Sequence, residues 1–446
     1  MFNKKATPHV TERRPHWREY QARLQKSPLI AKGRLVIAIF LGVMVLLGLY
    51  VGFSFSAHTP TSDIETVHVE KEAAAAHPYI SKRDVQLLLE GLDLNTLGAE
   101  QVVLPIKGHT FHLETSLDAD VQSYLLEKLD RKNSHFIGIV IMDAESGRIL
   151  SLTGFNKSDT SENPCLRNTF PAASIFKMVT AAAAIDLCGY TPNSRLKFNG
   201  YKHTLYKRQL TDQVNKYTNT VTFKDSFAQS VNPVFGKLGT LKLGREVLEE
   251  YATAFGFNQP IDFELPVSPS RIRIADDPYN WAEIASGFNN DTTISPLHGA
   301  MMATAVVNRG MMKAPTIVTS LSDENGTVLY RSQPVWHGRA MTSGASSQLL
   351  RMMETTITSG TSRKAFRGYQ RHRILSKLRI GGKTGSIYNR GHELRFDWFV
   401  GFAQKKKDSA DPIAVAVLVA HEEFIGIRAS AYARMAMTRY YEKRLN

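Results

Sequence analysis

One stretch settles the gross architecture before any finer pattern is read. Residues 35–55 (LVIAIFLGVMVLLGLYVGFSF) run for 21 positions without a charge. About 20 apolar residues suffice for a helix to cross a bilayer core of ~30 Å. The flanks are unequal. Residues 1–34 carry nine Lys/Arg against only Glu12 and Glu19. After the run come Asp63, Glu65, Glu70 and Glu72, with Lys71 the one cation among them. Cytoplasmic flanks are the basic ones, so a single-pass topology is expected, with residues 1–34 in the cytoplasm and everything after about 57 outside. A cleaved secretory leader fits less well, because its apolar region spans about 7–15 residues.

Charge is read against that topology. The chain of 446 residues holds 55 Lys+Arg and 41 Asp+Glu, a net +14. Half of the excess, +7, belongs to the basic tail, where a topogenic signal accounts for it. No nucleic-acid motif accompanies it, and no nucleic-acid partner is expected. With 43% apolar and 22% charged residues, the exported bulk reads as globular. Two cysteines exclude a disulfide scaffold and a four-cysteine zinc site. Cys165 and Cys188 would lie where disulfides persist, and a bridge between them would contribute about 3 kcal/mol. Their spacing leaves bridged and free thiols equally open. The histidines show no H-E-x-x-H spacing, so neither metal nor cofactor is expected.

Along the exported part, residues 57–78 read as a polar then Ala-rich linker. A short amphipathic helix at 84–92 and a strand at Gln101–Ile106 form a small module that ends near 111. From His112 the pattern sharpens. Asp118 caps a helix with Val121, Leu125 and Leu129 on one face, and FIGIVIMD (136–143) reads as a buried strand. Glu145-Ser146-Gly147 turns it into a partner at 148–153. Helices are expected at 172–188, 221–238, 245–255, 295–307 and 345–357. Three strands follow at 379–388, 395–404 and Ile413–His421, then a final helix at 428–444. Two strands early, helices between and three strands late predict an α+β fold. Its centre would be a five-stranded antiparallel sheet, built from both ends of the domain and flanked by helices.

Three short motifs carry chemistry. In Ser174-Ile175-Phe176-Lys177, positions i and i+3 share a helix face, so the Lys177 amine can reach the Ser174 hydroxyl. Serine needs a base to act as a nucleophile. Lysine serves once burial or a neighbouring cation lowers its pKa, and Lys383 is a candidate for that cation. Near the helix start, free N–H groups favour developing negative charge. Ser230-Val231-Asn232 is the second motif and Lys383-Thr384-Gly385-Ser386, on an expected strand, the third. Each alone reads equally as an ordinary helix start, a turn before Pro233, or a strand bend. The ordered set on suitable elements in an exported chain is what carries weight.

The set resembles the penicillin-binding transpeptidase domain, the serine acyltransferase fold shared with serine β-lactamases. The resemblance runs from about 112 to 446. It includes Thr115–Gln122, the hairpin VIMDAESGRILS (140–151), Ile294-Ser295-Pro296-Leu297 with Asn308-Arg309-Gly310, Gly360-Thr361, and DWFVGF (397–402). It implies that Ser174 attacks the D-Ala-D-Ala carbonyl of a peptidoglycan stem peptide, with Lys177 taking its proton. Ser230 would relay a proton to the leaving amine, and Asn232 would hold the substrate amide and Lys177. Lys383 would set the positive field, and Thr384 and Ser386 would bind the terminal carboxylate. Gly385 would leave room for substrate along the strand edge. The backbone N–H groups of Ser174 and Ser386 would form the oxyanion hole. A second stem-peptide amine then completes a D,D-transpeptidation, and β-lactam antibiotics stop at the acyl-enzyme. Other cell-wall synthesis proteins are expected partners through the span.

Neighbouring readings are weighed on residues. No E-x-x-x-N lies between Pro233 and Gly382, which argues against a β-lactamase. A D,D-carboxypeptidase uses the same residues with water as acceptor. About 55 residues between span and domain leave no room for a glycosyltransferase domain, and the R-x-G-x-I-x-D-R-x-G pattern of a class B pedestal is missing. The chain therefore resembles a pared-down class B enzyme. A β-lactam sensor or an inactive scaffold is the reading from another class. Ala285-Ser286-Gly287-Phe288 departs from the G-Q-G often seen there. The run of Arg363, Lys364, Arg367, Arg371, Arg373, Lys377 and Arg379 reads first as a solvated loop, second as a contact for an anionic partner.

Overall fold

A computed structural model describes residues 80–90, 101–106, 108–407 and 409–445. The expected tail, span and most of the linker lie outside the described residues. Among the described residues, no helix is long and apolar enough to cross a membrane.

The strand Ile413–His421 (IAVAVLVAH) explains the architecture. Side chains alternate across a strand, and here both faces are buried. Ala414, Ala416, Leu418 and Ala420 join one core, and Ile413, Val415, Val417 and Val419 join another. A strand apolar on both faces must lie inside a sheet covered by helices on each side. The sheet obeys this. Its order is Leu378–Tyr388, Arg395–Lys405, Ile413–His421, Ser134–Asp143, Ile149–Asn156, all antiparallel. The late strands thus meet the early hairpin through Ile413–His421, as the sequence predicts. On one face packs the helix Pro296–Val307, which is buried nearly all round, every residue from Pro296 to Val306 lying inside. On the other lies Ala429–Glu442, which presents Ala429, Ala433, Ala436, Met437 and Tyr440 at helical spacing. Each fully buried Val or Leu contributes about 1.5–3 kcal/mol.

The expected helix 221–238 is corrected. Phe223–Ala228 and Asn232–Leu238 are separate helices. The first is capped by Thr222, whose hydroxyl accepts from Asp225 N at 3.2 Å. The second carries Pro233 in its first turn, where a missing N–H costs nothing. Between them Ser230 takes φ +56°, the left-handed region that stops a helix. The expected helix 172–188 is likewise divided into a tight 3₁₀ turn, Ala173–Phe176, and an α-helix, Lys177–Cys188.

A second sheet is absent from the sequence reading. Gln101–Ile106, His109–Thr115, Val318–Ser322 and Val328–Arg331 form four antiparallel strands. The strand His109–Thr115 runs through residue 112, where the sequence pattern sharpens. The helix near 84–92 is found as Lys82–Leu89, with Ser81 as its cap. Cys165 and Cys188 are free thiols. Cys165 is buried, with its Sγ 3.3 Å from the Thr153 carbonyl, and burial pushes its pKa up.

Candidate active site

The three motifs converge on one cleft of about 990 Å³. Ser174, Ser230, Asn232, Thr384, Gly385 and Ser386 line it. Lys177 and Lys383 lie fully buried beneath them. All eight side chains or backbones singled out in the sequence are therefore brought together.

The 3₁₀ turn lifts Ser174 to the cleft floor while Lys177 opens the α-helix behind it. The Lys177 Nζ lies 2.8 Å from Ser174 Oγ and 2.8 Å from Asn232 Oδ1, and it also bonds the Ser286 carbonyl. The orientation of the Asn232 amide follows from its other end, where Nδ2 donates to the His203 carbonyl at 3.1 Å. Oδ1 must then face Lys177. A neutral amine has two N–H bonds and one lone pair. Asn232 Oδ1 and the Ser286 carbonyl accept the two hydrogens, so the lone pair points at Ser174 Oγ. The Ser174 O–H then donates to it.

The electrostatics favour that neutral form. Burial drives the Lys177 ammonium well below the usual lysine range, and the charge of Lys383 pushes the same way. Burial brings Lys383 down to about 7. The Lys383 Nζ donates to Ser230 Oγ at 3.0 Å and to the Thr384 carbonyl at 2.7 Å, and lies 5.6 Å from the centre of the Phe227 ring. The left-handed Ser230 backbone turns this hydroxyl into the cleft.

Strand Leu378–Tyr388 forms the opposite wall. A Cβ on Gly385 would stand 3.2 Å from both Ser174 N and Ala173 Cβ, so the strand passes tightly beside Ser174. Thr384 Oγ1 meets Thr361 Oγ1 at 2.5 Å, and Thr361 N donates to the Ala228 carbonyl at 3.0 Å. Thr361 thereby ties the strand to the turn that carries Ser230. The Ser386 hydroxyl is exposed and accepts from Arg395 Nε at 3.0 Å.

Sequence reasoning assigned no role to five contributors. Ser286 acts through its carbonyl, on the segment whose sequence departs from the family pattern. Gly287 beside it is required by contact, because a Cβ there would fall 1.9 Å from the Ala173 carbonyl. His203 acts through a backbone oxygen. Thr361 was visible only as part of a resemblance. Arg395 gave no signal, being the first residue of an expected strand.

Residues 137–438 match the family model of the penicillin binding protein transpeptidase domain. Among curated proteins, penicillin-binding protein PbpB of Mycolicibacterium smegmatis is 25% identical over 326 residues, 65% of this chain and 48% of that protein. Peptidoglycan D,D-transpeptidase PbpA of Mycobacterium tuberculosis is 26% identical over 277 residues, covering 60% of this chain and 53% of PbpA. The chain spans about half the length of the curated relatives it matches. Among solved structures, the D,D-transpeptidase domain of a peptidoglycan glycosyltransferase from Eggerthella lenta superposes with TM-score 0.61 at 22% identity, over 74% of this chain and 83% of that one. Penicillin-binding protein A from M. tuberculosis, as a ceftriaxone acyl-enzyme, gives 0.60 at 21%, over 75% and 80%. At these identities the likeness to solved structures is one of fold.

Proposed function

The chain belongs to the penicillin-binding protein transpeptidase family, and from that premise we propose that it is a membrane-anchored peptidoglycan D,D-transpeptidase, acylated by β-lactams. The observation that carries the reading is the bonded string from Ser174 Oγ through Lys177 Nζ to Asn232 Oδ1, with Lys383 held against Ser230 on the same cleft.

The geometry supports a route for both half-reactions. The Lys177 lone pair takes the Ser174 proton as Oγ attacks the penultimate D-Ala carbonyl of a stem peptide. Charge developing on that carbonyl oxygen is met by the N–H groups of Ser174 and Ser386. The proton reaches the departing D-Ala amine through Ser230. Thr384 and Ser386 receive the terminal carboxylate, with Arg395 behind Ser386 adding positive charge. An acceptor amine then displaces Ser174 along the reverse proton path. Residues 35–55 supply the anchor and place the catalytic domain outside the cytoplasmic membrane. A D,D-carboxypeptidase is the second reading, favoured by the position of Ser174, which is only half-buried and lines a cleft that water can enter.

The test is gel detection of fluorescent penicillin on the full chain in detergent, beside Ser174→Ala, followed by product analysis with a D-Ala-D-Ala donor and an amine acceptor. Label on wild type alone, with a cross-linked product, supports the reading. Label without any amine-dependent product replaces it by the carboxypeptidase. A folded wild type that neither labels nor turns over peptide removes both.

A further inference from the structure

Transpeptidation needs two peptides, and the cleft accounts for one. The donor follows Thr384, Gly385 and Ser386 along the strand edge. A second groove, of about 420 Å³, opens beside the cleft and shares His203 with it. Its other walls are Phe198, Gly200, Tyr201, Lys202, Thr204 and Asn219.

Three observations give this groove a role. It is fastened to the catalytic residues: Asn232 N donates to the Lys202 carbonyl at 2.7 Å, Asn232 Nδ2 donates to the His203 carbonyl at 3.1 Å, and the His203 ring faces the Ser230 backbone. Whatever it holds is therefore registered against Asn232 and Ser230. It presents an uncovered aromatic face, with Tyr201 82% exposed. No Asp or Glu lines it. An amine must lose its charge to attack, and a site without a carboxylate does not hold it as an ammonium.

We propose that the groove walled by Tyr201, His203 and Asn219 is the docking site for the acceptor, a stem peptide that presents a free primary amine to the acyl group on Ser174. This rests on the transpeptidase reading and adds to it the place of the second substrate. The amine enters past His203 and its nitrogen bonds the acyl carbonyl carbon. The bond from that carbon to Ser174 Oγ breaks, and one amine proton passes through Ser230 and Lys177 to Oγ. Serine is regenerated and no other reactant is required.

The experiment uses the full chain in detergent, a D-Ala-D-lactate depsipeptide as donor, and a tripeptide with one free side-chain amine as acceptor. It measures the ratio of aminolysis to hydrolysis, the acceptor KM and the rate of fluorescent penicillin labelling. An aliphatic peptide segment that covers the exposed Tyr201 ring gains by apolar burial, so Tyr201→Ala should lower the ratio by about 5-fold, equivalent to ~1 kcal/mol, and raise the acceptor KM to match. Labelling should stay within about 2-fold of wild type, and Tyr201→Phe should behave as wild type. Asn219→Ala, combined with Tyr201→Ala, should lower the ratio further. An unchanged ratio in the double variant overturns the assignment of the groove alone, and so does an equal fall in labelling and in both products. A wild type that labels but gives only hydrolysis overturns the groove together with the transpeptidase reading.

Discussion

The Lys383 ammonium and the Ser230 hydroxyl lie 3.0 Å apart, although 153 positions separate them in the chain. This contact joins the late strand to the turn between two middle helices. It also puts a second titrating amine beside the one that bonds Ser174.

The two lysines make the pH dependence of acylation two-sided. Lys177 must be neutral to accept the Ser174 proton, and its depressed pKa makes it the first to deprotonate. Lys383, at about 7, then loses the charge that depresses Lys177. The expected profile of kcat/KM for penicillin acylation rises as the pair sheds its first proton and falls above about 7 as it sheds the second. Stopped-flow acylation across pH 5–9.5 would read it. Lys383→Arg, whose cation does not titrate, should lose the falling limb. A wild-type rate that climbs without a break to about pH 9 would sink the assignment.

Burying Lys383 costs stability with a definite sign. Its folded pKa of about 7 lies below the ordinary value of 10.5. Below pH 7 the folded protein carries the full penalty of a buried charge, and the penalty fades as pH rises from 7 to 10.5. Lys383→Met should abolish turnover yet be more stable near pH 6.5, by ~3 kcal/mol or ~5 °C in Tm. The gain should shrink toward pH 10. Calorimetry at three pH values checks this, and a gain that grew with pH would contradict it.

Ser230 holds φ +56° because its hydroxyl must face Lys383. Replacing it separates strain from chemistry. Ser230→Ala keeps the strained backbone and loses the hydroxyl, whereas Ser230→Gly loses both. Acylation should fall in each by about 10²–10³-fold, while the Gly variant should unfold at higher denaturant than the Ala variant by ~1 kcal/mol. Equal midpoints would mean that the turn is not strained.

Gly287 is the most exacting small residue of the site. It combines φ +63° with a Cβ position 1.9 Å from the Ala173 carbonyl. Gly287→Ala must move either the Ser174 turn or the Ser286 carbonyl that positions Lys177. The expected result is a loss of ~3 kcal/mol in stability and of more than about 10²-fold in penicillin labelling. Labelling at the wild-type rate would show that the segment adjusts elsewhere.

The central sheet was readable because its strands are long apolar runs, most plainly Ile413–His421, which is buried on both faces. The side sheet was not, since Val318–Ser322 and Val328–Arg331 are short and half-polar, and their burial is set by a partner far away in the chain. The helix break at Ser230 left no trace in periodicity. Apolar residues on both sides keep helical spacing, and the kink is held by a local bond, Val231 N to the Ser226 carbonyl at 2.9 Å, together with a distant one, Asn232 N to the Lys202 carbonyl at 2.7 Å. The side chains proposed to react were legible, because such chemistry fixes their type and spacing. Groups that position them through backbone oxygens, Ser286 and His203, were not, since every residue carries a carbonyl.

The sheet order has a consequence for assembly. As the chain is synthesised, the hairpin of Ser134–Asp143 and Ile149–Asn156 emerges first, and the strand that covers its open edge, Ile413–His421, emerges among the last. Contacts so distant along the chain form slowly. Lys383 cannot settle beneath Ser230 until its own strand has neighbours to pair with. The cleft that gathers Ser174, Lys177 and Lys383 is thus complete only once the late strands have paired. A truncation that removed the last few dozen residues would take out the middle of the sheet, and incomplete chains would be chemically silent.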